Sequence, residues 1–256
     1  MTDAPALLSA YDGVAVEALG ARAGAASVVA VSTCSSTMDL AHESAAAGAP
    51  HGTVIVAESQ GMGRGRSGKS WVSAPDAGVW TSIVLRPTEA FTGGVLSLRV
   101  GLALAERLDA YAGERVQVKW PNDLYLREAK LAGILAEARW RGAHLEWIVV
   151  GVGVNVRPAA LDVPVASLGA TVRRADVLVA VTAAVLDAAG AADVLSADEM
   201  QRFASRDLAV SRVITAPLAG TVLGITADGG LRVRTADGDV VAVAGSLVFR
   251  PSDGVA

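Results

Sequence analysis

Apolar and polar positions along the chain repeat with two different periods, and the switches between them mark its elements. The runs SVVAVS at 27–32 and GTVIVAES at 52–59 are β-branched and almost wholly apolar, which predicts buried strands. Between them, SSTMDLAHESAAAG carries helical spacing, with Ser36 or Thr37 as N-cap, Asp39 in the first turn and Gly48 as the stop. VWTSIVLRP at 79–87 predicts a strand closed by Pro87, and GGVLSLRVGLALAERLDAYAG at 93–113 a helix ended by its glycine. RVQVKWP alternates as a strand does, then turns through Pro121 and Asn122 into DLYL. KLAGILAEARW, RGAH and LEWIVVGVGVNV predict a hairpin with a tight, glycine-containing turn.

The pattern changes twice more. Residues 173–206 read as two alanine-rich helices, and from about 210 to 250 short strands are split by PLAG, DGG and DGD, the pattern of a small β-barrel. Residues 1–26 are rich in alanine and glycine and predict an irregular or short helical lead-in. The expected fold class is α+β, with one mixed domain over 1–208 and a β module over 209–256.

Composition narrows the function classes. The 256 residues are 52% hydrophobic and 19% charged with a formal net charge of −4, so no global basic excess argues for wrapping nucleic acid. One cysteine, Cys34, excludes an intramolecular disulfide framework and fits a reducing cytoplasm. The N-terminus lacks the basic and apolar regions of a signal peptide, and the apolar runs are too short to span a bilayer. His42, His51 and His144 show no metal-ligand spacing. Of 22 basic residues only three, Lys69, Lys119 and Lys130, are lysines, and each falls within a motif. Lysine is a compact ammonium that can address a single oxygen, where arginine is a planar fork.

The stretch GMGRGRSGKSW, Gly61 to Trp71, fits two phosphate-binding patterns at once, G-x-x-x-x-G-K-[ST] and G-x-G-x-x-G. Both patterns require the loop to open a helix, whose N-terminus helps hold the phosphates. Ser70 is followed instead by WVSAPDAG, which favours extended chain, and neither a Walker B strand nor the ribose-binding acid is found. What remains is a mobile glycine-rich loop that carries Arg64 and Arg66 toward an anion.

Five ordered motifs together resemble the biotin protein ligase family. They are SSTMD at 35–39, GRGRSGKSW at 63–71, VKWPNDL at 118–124, KLAGILAE at 130–137 and VVGVGVNV at 149–156. The resemblance implies a mixed-sheet, class II synthetase-like catalytic domain followed by a small SH3-like β-barrel. It also implies ATP with Mg2+ and biotin as reactants, biotinyl-5′-AMP as the intermediate, and a biotin carboxyl carrier domain of an acyl-CoA carboxylase as acceptor. Nucleic acid and membrane are not expected as partners, and the chain is expected to be a monomer or weak homodimer. Residues 1–26 are too few for a helix-turn-helix module, which implies a ligase without a DNA-binding domain.

On the same resemblance, Lys130 is the central cation between the biotin carboxylate and the α-phosphate, with Arg64 reaching the same oxygens. Gly63, Gly65, Arg66 and the rest of the loop cover biotin and then the adenylate. Ser36, Thr37 and Gln60 would hydrogen-bond the ureido ring, and Gly133 would let backbone approach it; helix capping is the alternative for Ser36 and Thr37. Arg66, Trp71, Lys119, Asn122, Asp123 and Asn155 are expected at the nucleotide. For Trp71 and Trp120 core packing competes with that role, as turn formation does for Asn122 and Asp123. Met38 and Lys69 depart from the family pattern, and residues 156–175 cannot be matched to its adenylate-covering segment. The nearest rival is a lipoate or octanoate ligase, whose R-R-x-[ST]-G-G-G stretch is missing here; a non-catalytic nucleotide- or RNA-binding module is the other.

Overall fold

The computed structural model describes residues 5–87, 95–159 and 164–250. Eight strands form the main sheet: β1 (Leu7–Leu8), β2 (Ser27–Cys34), β3 (Thr53–Gln60), β4 (Gly78–Leu85), β5 (Gln117–Lys119), β6 (Asp123–Leu126), β7 (Ala129–Arg141) and β8 (His144–Asn155). Their order across the sheet is β1-β2-β3-β4-β8-β7-β6-β5. Only β2 and β3 pair in parallel, joined by helix α2 (Thr37–Ala46); every other neighbour is antiparallel. The start of the helix expected from residue 93 lies partly outside the described residues; the described helix, α3, runs over Leu96–Ala112.

The near-continuous apolar runs arise because both faces of this sheet are covered. Side chains of a strand alternate between faces, and cross-strand partners share one. Val54, Val56, Ile83, Val150, Val152 and Val154 face one way, into the large core formed with α3 and with α4 (Arg174–Ala188). Ile55, Val84 and Val149 face the other way, under Met38, Ala41 and Ala45 of α2. On this second face the pattern GVGVN puts Gly151 and Gly153 beside Ser82 and Trp80 of β4, and Gly153 beside Gly133 of β7.

Residues 5–26 are more ordered than their composition suggests. They hold β1, which pairs Leu7 and Leu8 with Val31 and Ala30, a short hairpin of Ala10–Tyr11 with Val14–Ala15, and helix α1 (Val16–Ala23). Strands of two residues carry no readable alternation. What fixes them is long-range: the Tyr11 hydroxyl donates to the Gly78 carbonyl at 3.2 Å, and the Arg174 guanidinium lies 4.8 Å above the Tyr11 ring. Arg174 also pairs with Glu58, and with Asp76 at 3.1 Å.

Beyond α4 and α5 (Ala197–Ala204), the strands β9 (Val213–Ala216), β10 (Gly220–Ile225), β11 (Leu231–Thr235), β12 (Gly238–Ala242) and β13 (Val248–Phe249) form a five-stranded antiparallel sheet in the order β12-β11-β10-β9-β13. Two of the contacts that join it to the main sheet flank Lys119. The Trp120 indole, buried at 2% exposure, donates to the Gly229 carbonyl at 2.9 Å, and the residue also lines the cavity described below. Val118 exchanges backbone hydrogen bonds with the segment leading to β9, accepting from Leu208 and donating to Arg206.

Asp207 sits in that segment. Its Oδ1 accepts from the Ala209 amide at 2.8 Å, while Oδ2 is buried without a hydrogen-bond partner. Burial pushes its carboxyl up from 3.8 to about 6, against the Ala209 and Val210 amides. The folded protein therefore holds a proton that the unfolded chain releases, so this contribution to stability is full below pH 3.8 and is lost as pH rises through about 6. Asp207→Asn is expected to remove that loss: relative to wild type it gains stability between pH 4 and 7, by at most about 1.4 kcal/mol per pH unit. Urea unfolding across that range checks it, and a difference independent of pH contradicts the protonated carboxyl.

Candidate active site

The glycines of β7 and β8 remove side chains from the middle of the sheet face and leave a trough. A Cβ on Gly153 would come within 2.5 Å of the Trp71 indole, one on Gly133 within 2.8 Å of the same ring, and one on Gly151 within 2.5 Å of the Met38 sulfur. Trp71 thus lies in the trough, its ring edge-on to Trp80 at 6.2 Å. Met38 packs beside it, the role left to it once a polar side chain is lost. Above this floor is a cavity of about 500 Å3.

Toward β3 and β4 the cavity wall is polar and tightly bonded. Gln60 Oε1 accepts from the Thr37 amide at 2.8 Å and from the Thr37 hydroxyl at 3.1 Å, and Gln60 Nε2 donates to Ser73 Oγ at 2.7 Å. Thr37 Oγ1 also lies 2.8 Å from Ser82 Oγ. Ser36, fully buried, accepts from the Met38 amide at 3.3 Å as the N-cap of α2. Ser36 therefore caps the helix, Thr37 is its first residue with its hydroxyl on Gln60 and Ser82, and both line the cavity.

Toward β5, β6 and β7 the wall is cationic. Lys130 Nζ lies 2.7 Å from Asp123 Oδ1 and 5.2 Å from the Trp71 ring centroid. Lys119 donates to the Tyr125 hydroxyl at 3.3 Å. Burial holds its ammonium below the usual lysine range, Asp123 acting against this and Lys130, Arg212 and Lys69 with it. Arg66 donates to Asn122 Oδ1 at 3.0 Å, and the Asn122 amide donates to the Ile134 carbonyl at 2.7 Å. The side chains of this cavity include five cations, Arg64, Arg66, Lys69, Lys119 and Lys130, against one carboxylate, Asp123.

The loop between β3 and β4 supplies three of those cations. Gly63–Arg64 pairs with Ser70–Trp71 as a short hairpin, and Arg66–Gly68 forms one 3-10 turn, so no helix follows the glycines. A Cβ on Gly63 would lie 2.4 Å from the Trp71 carbonyl, and one on Gly65 3.0 Å from the Lys69 carbonyl. These glycines serve close backbone approach within the hairpin. Arg64 is fastened outward, to Asp39 at 2.7 Å and Glu137 at 2.6 Å. Glu137 in turn lies 3.2 Å from His42 Nε2, and His42 Nδ1 accepts from the Trp147 indole at 3.0 Å.

Of the residues expected at the site from sequence, Asn155 alone stands back from both the cavity and the loop. Its amide donates to the Lys130 carbonyl at 3.3 Å, which ties the end of β8 to the strand that carries the lysine. Sequence reasoning missed Asp39 and Glu137, which hold Arg64, together with Ser73, Ser82 and Tyr125. It also missed that Ser246–Phe249 of the small sheet form part of the wall. Cys34 stands close by, but burial and Asp39 push its thiol up to about 11, so it is no nucleophile at neutral pH.

The trough gives a direct test. Gly153→Ala is expected to cost roughly 1–3 kcal/mol of stability, because the new methyl must displace the Trp71 indole. Denaturant unfolding measures it; an unchanged midpoint would mean that the indole does not lie in the trough.

Residues 30–155 match the model of the biotin/lipoate A/B protein ligase family. Among curated relatives, the chain is 37% identical over 131 residues to the bifunctional ligase/repressor BirA of Bacillus spizizenii, which is 51% of this chain and 40% of that protein. It is 37% identical over 142 residues to a biotin--[acetyl-CoA-carboxylase] ligase of Mycobacterium tuberculosis, 53% of this chain and 51% of the relative. The matches thus span about half or less of those relatives' length. Among solved structures, the biotin protein ligase of Aquifex aeolicus in complex with biotin and ATP superposes with a TM-score of 0.72 at 23% identity, over 88% of this chain and 99% of the other. Over residues 30–155 this chain therefore carries a biotin/lipoate A/B protein ligase family domain.

Proposed function

We propose that the protein is an ATP-dependent biotin protein ligase. It would activate biotin as biotinyl-5′-AMP and transfer it to a lysine of a biotin carboxyl carrier domain of an acyl-CoA carboxylase. The observation that carries this reading is one cavity that joins a bonded polar wall to five cations and one carboxylate. Relatives named as biotin ligases support it, as does a neighbouring structure that holds biotin and ATP.

This arrangement suits a reaction that brings one anion onto another. In the first step a biotin carboxylate oxygen bonds to the α-phosphorus, and the bond from that phosphorus to the bridging oxygen breaks, releasing diphosphate. In the second, a lysine amine attacks the acyl carbon, AMP leaves, and the amine gives up its proton. Fixed cations aimed at the developing charge lower the first barrier. Lys130 is assigned to the bridging position, and Lys119, Arg66 and Lys69 to the phosphates. Ser36, Thr37 and Gln60, on the other wall, are assigned to the ureido ring, where buried donors and acceptors reject analogues lacking their partners.

Among the described residues no group of three or more acidic, histidine or cysteine side chains converges as a metal cage. Magnesium carried by a nucleotide needs only one or two carboxylates besides phosphate oxygens, and Asp123 fits that role, with Asn122 beside it. Bound there, the ion would neutralise phosphate charge. The loop is assigned the task of excluding water from the mixed anhydride; in the present state Arg64 holds it against α2 and β7.

ATP–pyrophosphate exchange is the deciding experiment. Exchange that requires biotin supports the reading; exchange that requires octanoate or lipoate replaces it with the related ligase, and no exchange with any acid sinks it. Lys130→Ala is expected to reduce biotin-dependent exchange by about 10²-fold or more, and near-normal exchange removes Lys130 from the central position. Limited proteolysis within Gly61–Lys69 is expected to slow several-fold when biotin is added, and equal cleavage rates would deny a ligand-gated cover.

A further inference from the structure

Among the cations of the cavity, Lys119 is held differently from Arg64, Arg66 and Lys130. Arg64 and Lys130 are paired with carboxylates, and Arg66 donates to the Asn122 side-chain oxygen Oδ1. The acid that acts on Lys119, Asp123, is engaged 2.7 Å from Lys130 instead. Around the Lys119 nitrogen are a phenol hydroxyl and two aromatic faces: Tyr125 with its ring centroid at 5.1 Å, and Phe249 at 5.3 Å.

Phe249 belongs to β13 of the small sheet, where it pairs with Ile214 of β9. The Arg212 guanidinium stacks on its ring at 3.6 Å, and Arg212 is itself anchored to Glu128 at 2.9 Å. The ring is thereby fixed in place before any ligand arrives. A second loop cation reaches the same segment, since Arg66 donates to the Gly245 carbonyl at 3.3 Å.

The choice of aromatic partners has a chemical consequence. A carboxylate beside an ammonium neutralises it and must be displaced by an incoming anion. An aromatic face attracts the ammonium through its quadrupole and leaves the net charge in place. A lysine held this way keeps its whole charge for a ligand.

We propose that Phe249 and Tyr125 are positioning residues that hold the Lys119 ammonium in place for a polyphosphate. The proposal rests on the nucleotide reading of this cavity, and its test separates the two.

Phe249→Leu keeps an apolar side chain on β13 and removes the ring face. The expected result is a KM for ATP raised roughly 3- to 10-fold, with the KM for biotin and the thermal midpoint unchanged; Phe249→Tyr restores the wild-type KM for ATP. In a Lys119→Met background Phe249→Leu adds nothing, because the two act through one contact. Equal rises in both KM values, or additive effects in the double variant, overturn the proposal.

The three lysines of the chain allow a readout free of activity. With lysine-selective 13C labelling, and assignment by single Lys→Arg variants, the Lys119 ε-methylene is expected upfield and should return downfield in Phe249→Leu. An unmoved Lys119 resonance overturns the placement. Wild-type protein that shows the resonance shift but no biotin-dependent exchange refutes the ligase reading and leaves the placement standing.

Discussion

Three missing side chains set the site. Gly133, Gly151 and Gly153 lie on one face of a sheet whose other face is filled by Val150, Val152, Val154 and their partners. The backbone there is pinned between β4 and β7, so the trough cannot close by moving a strand without breaking two ladders. The Trp71 indole and the Met38 thioether occupy positions a Cβ would meet at 2.5–2.8 Å. Without the glycines the loop hairpin has no place to seat its tryptophan, and the cations on either side of that tryptophan lose their common reference point.

Charge is distributed around that seat in an order that follows from the sheet. The neutral donors and acceptors lie on α2, β3 and β4, whereas Lys119, Asp123 and Lys130 lie on the adjacent strands β5, β6 and β7. A carboxylate would meet the cations only if its neutral body lies along the polar wall, so the architecture imposes a direction on any ligand with one charged end. The exposed ion pairs of Arg64 are of another kind. Pairs at 28–43% side-chain exposure contribute little to stability, so they hold the loop only weakly.

Much of the fold was legible because periodicity reports burial directly. The β2, β3, β4, β7 and β8 strands and the helices α2 to α5 follow from apolar spacing, with ends set by Gly48, Gly113 and the Ser36 cap. The N-terminal strands were not legible, because two-residue pairings depend on Leu7 and Leu8 meeting a distant edge. At the site, residue types pointed to phosphate chemistry, and the cavity does gather Ser36, Thr37, Gln60, Arg66, Lys119, Asp123 and Lys130. The bond from the Asn155 amide to the Lys130 carbonyl was not legible, because it joins positions on two different strands. Asp39 and Glu137 were invisible because their meeting with Arg64 joins positions 25 and 73 residues apart.

The contribution of the small sheet has the same cause on a larger scale. Arg66 and Gly245 are 179 residues apart, and nothing in LVFR distinguishes Phe249 from an ordinary barrel residue. Yet the packing leaves little freedom. Trp120 fixes the β10–β11 turn through Gly229, Val118 fixes the chain before β9, and both flank Lys119. A strand that carries a cavity cation is thus clamped on either side by the module whose Phe249 meets that cation. The two sheets thus meet at the residues adjacent to the charge.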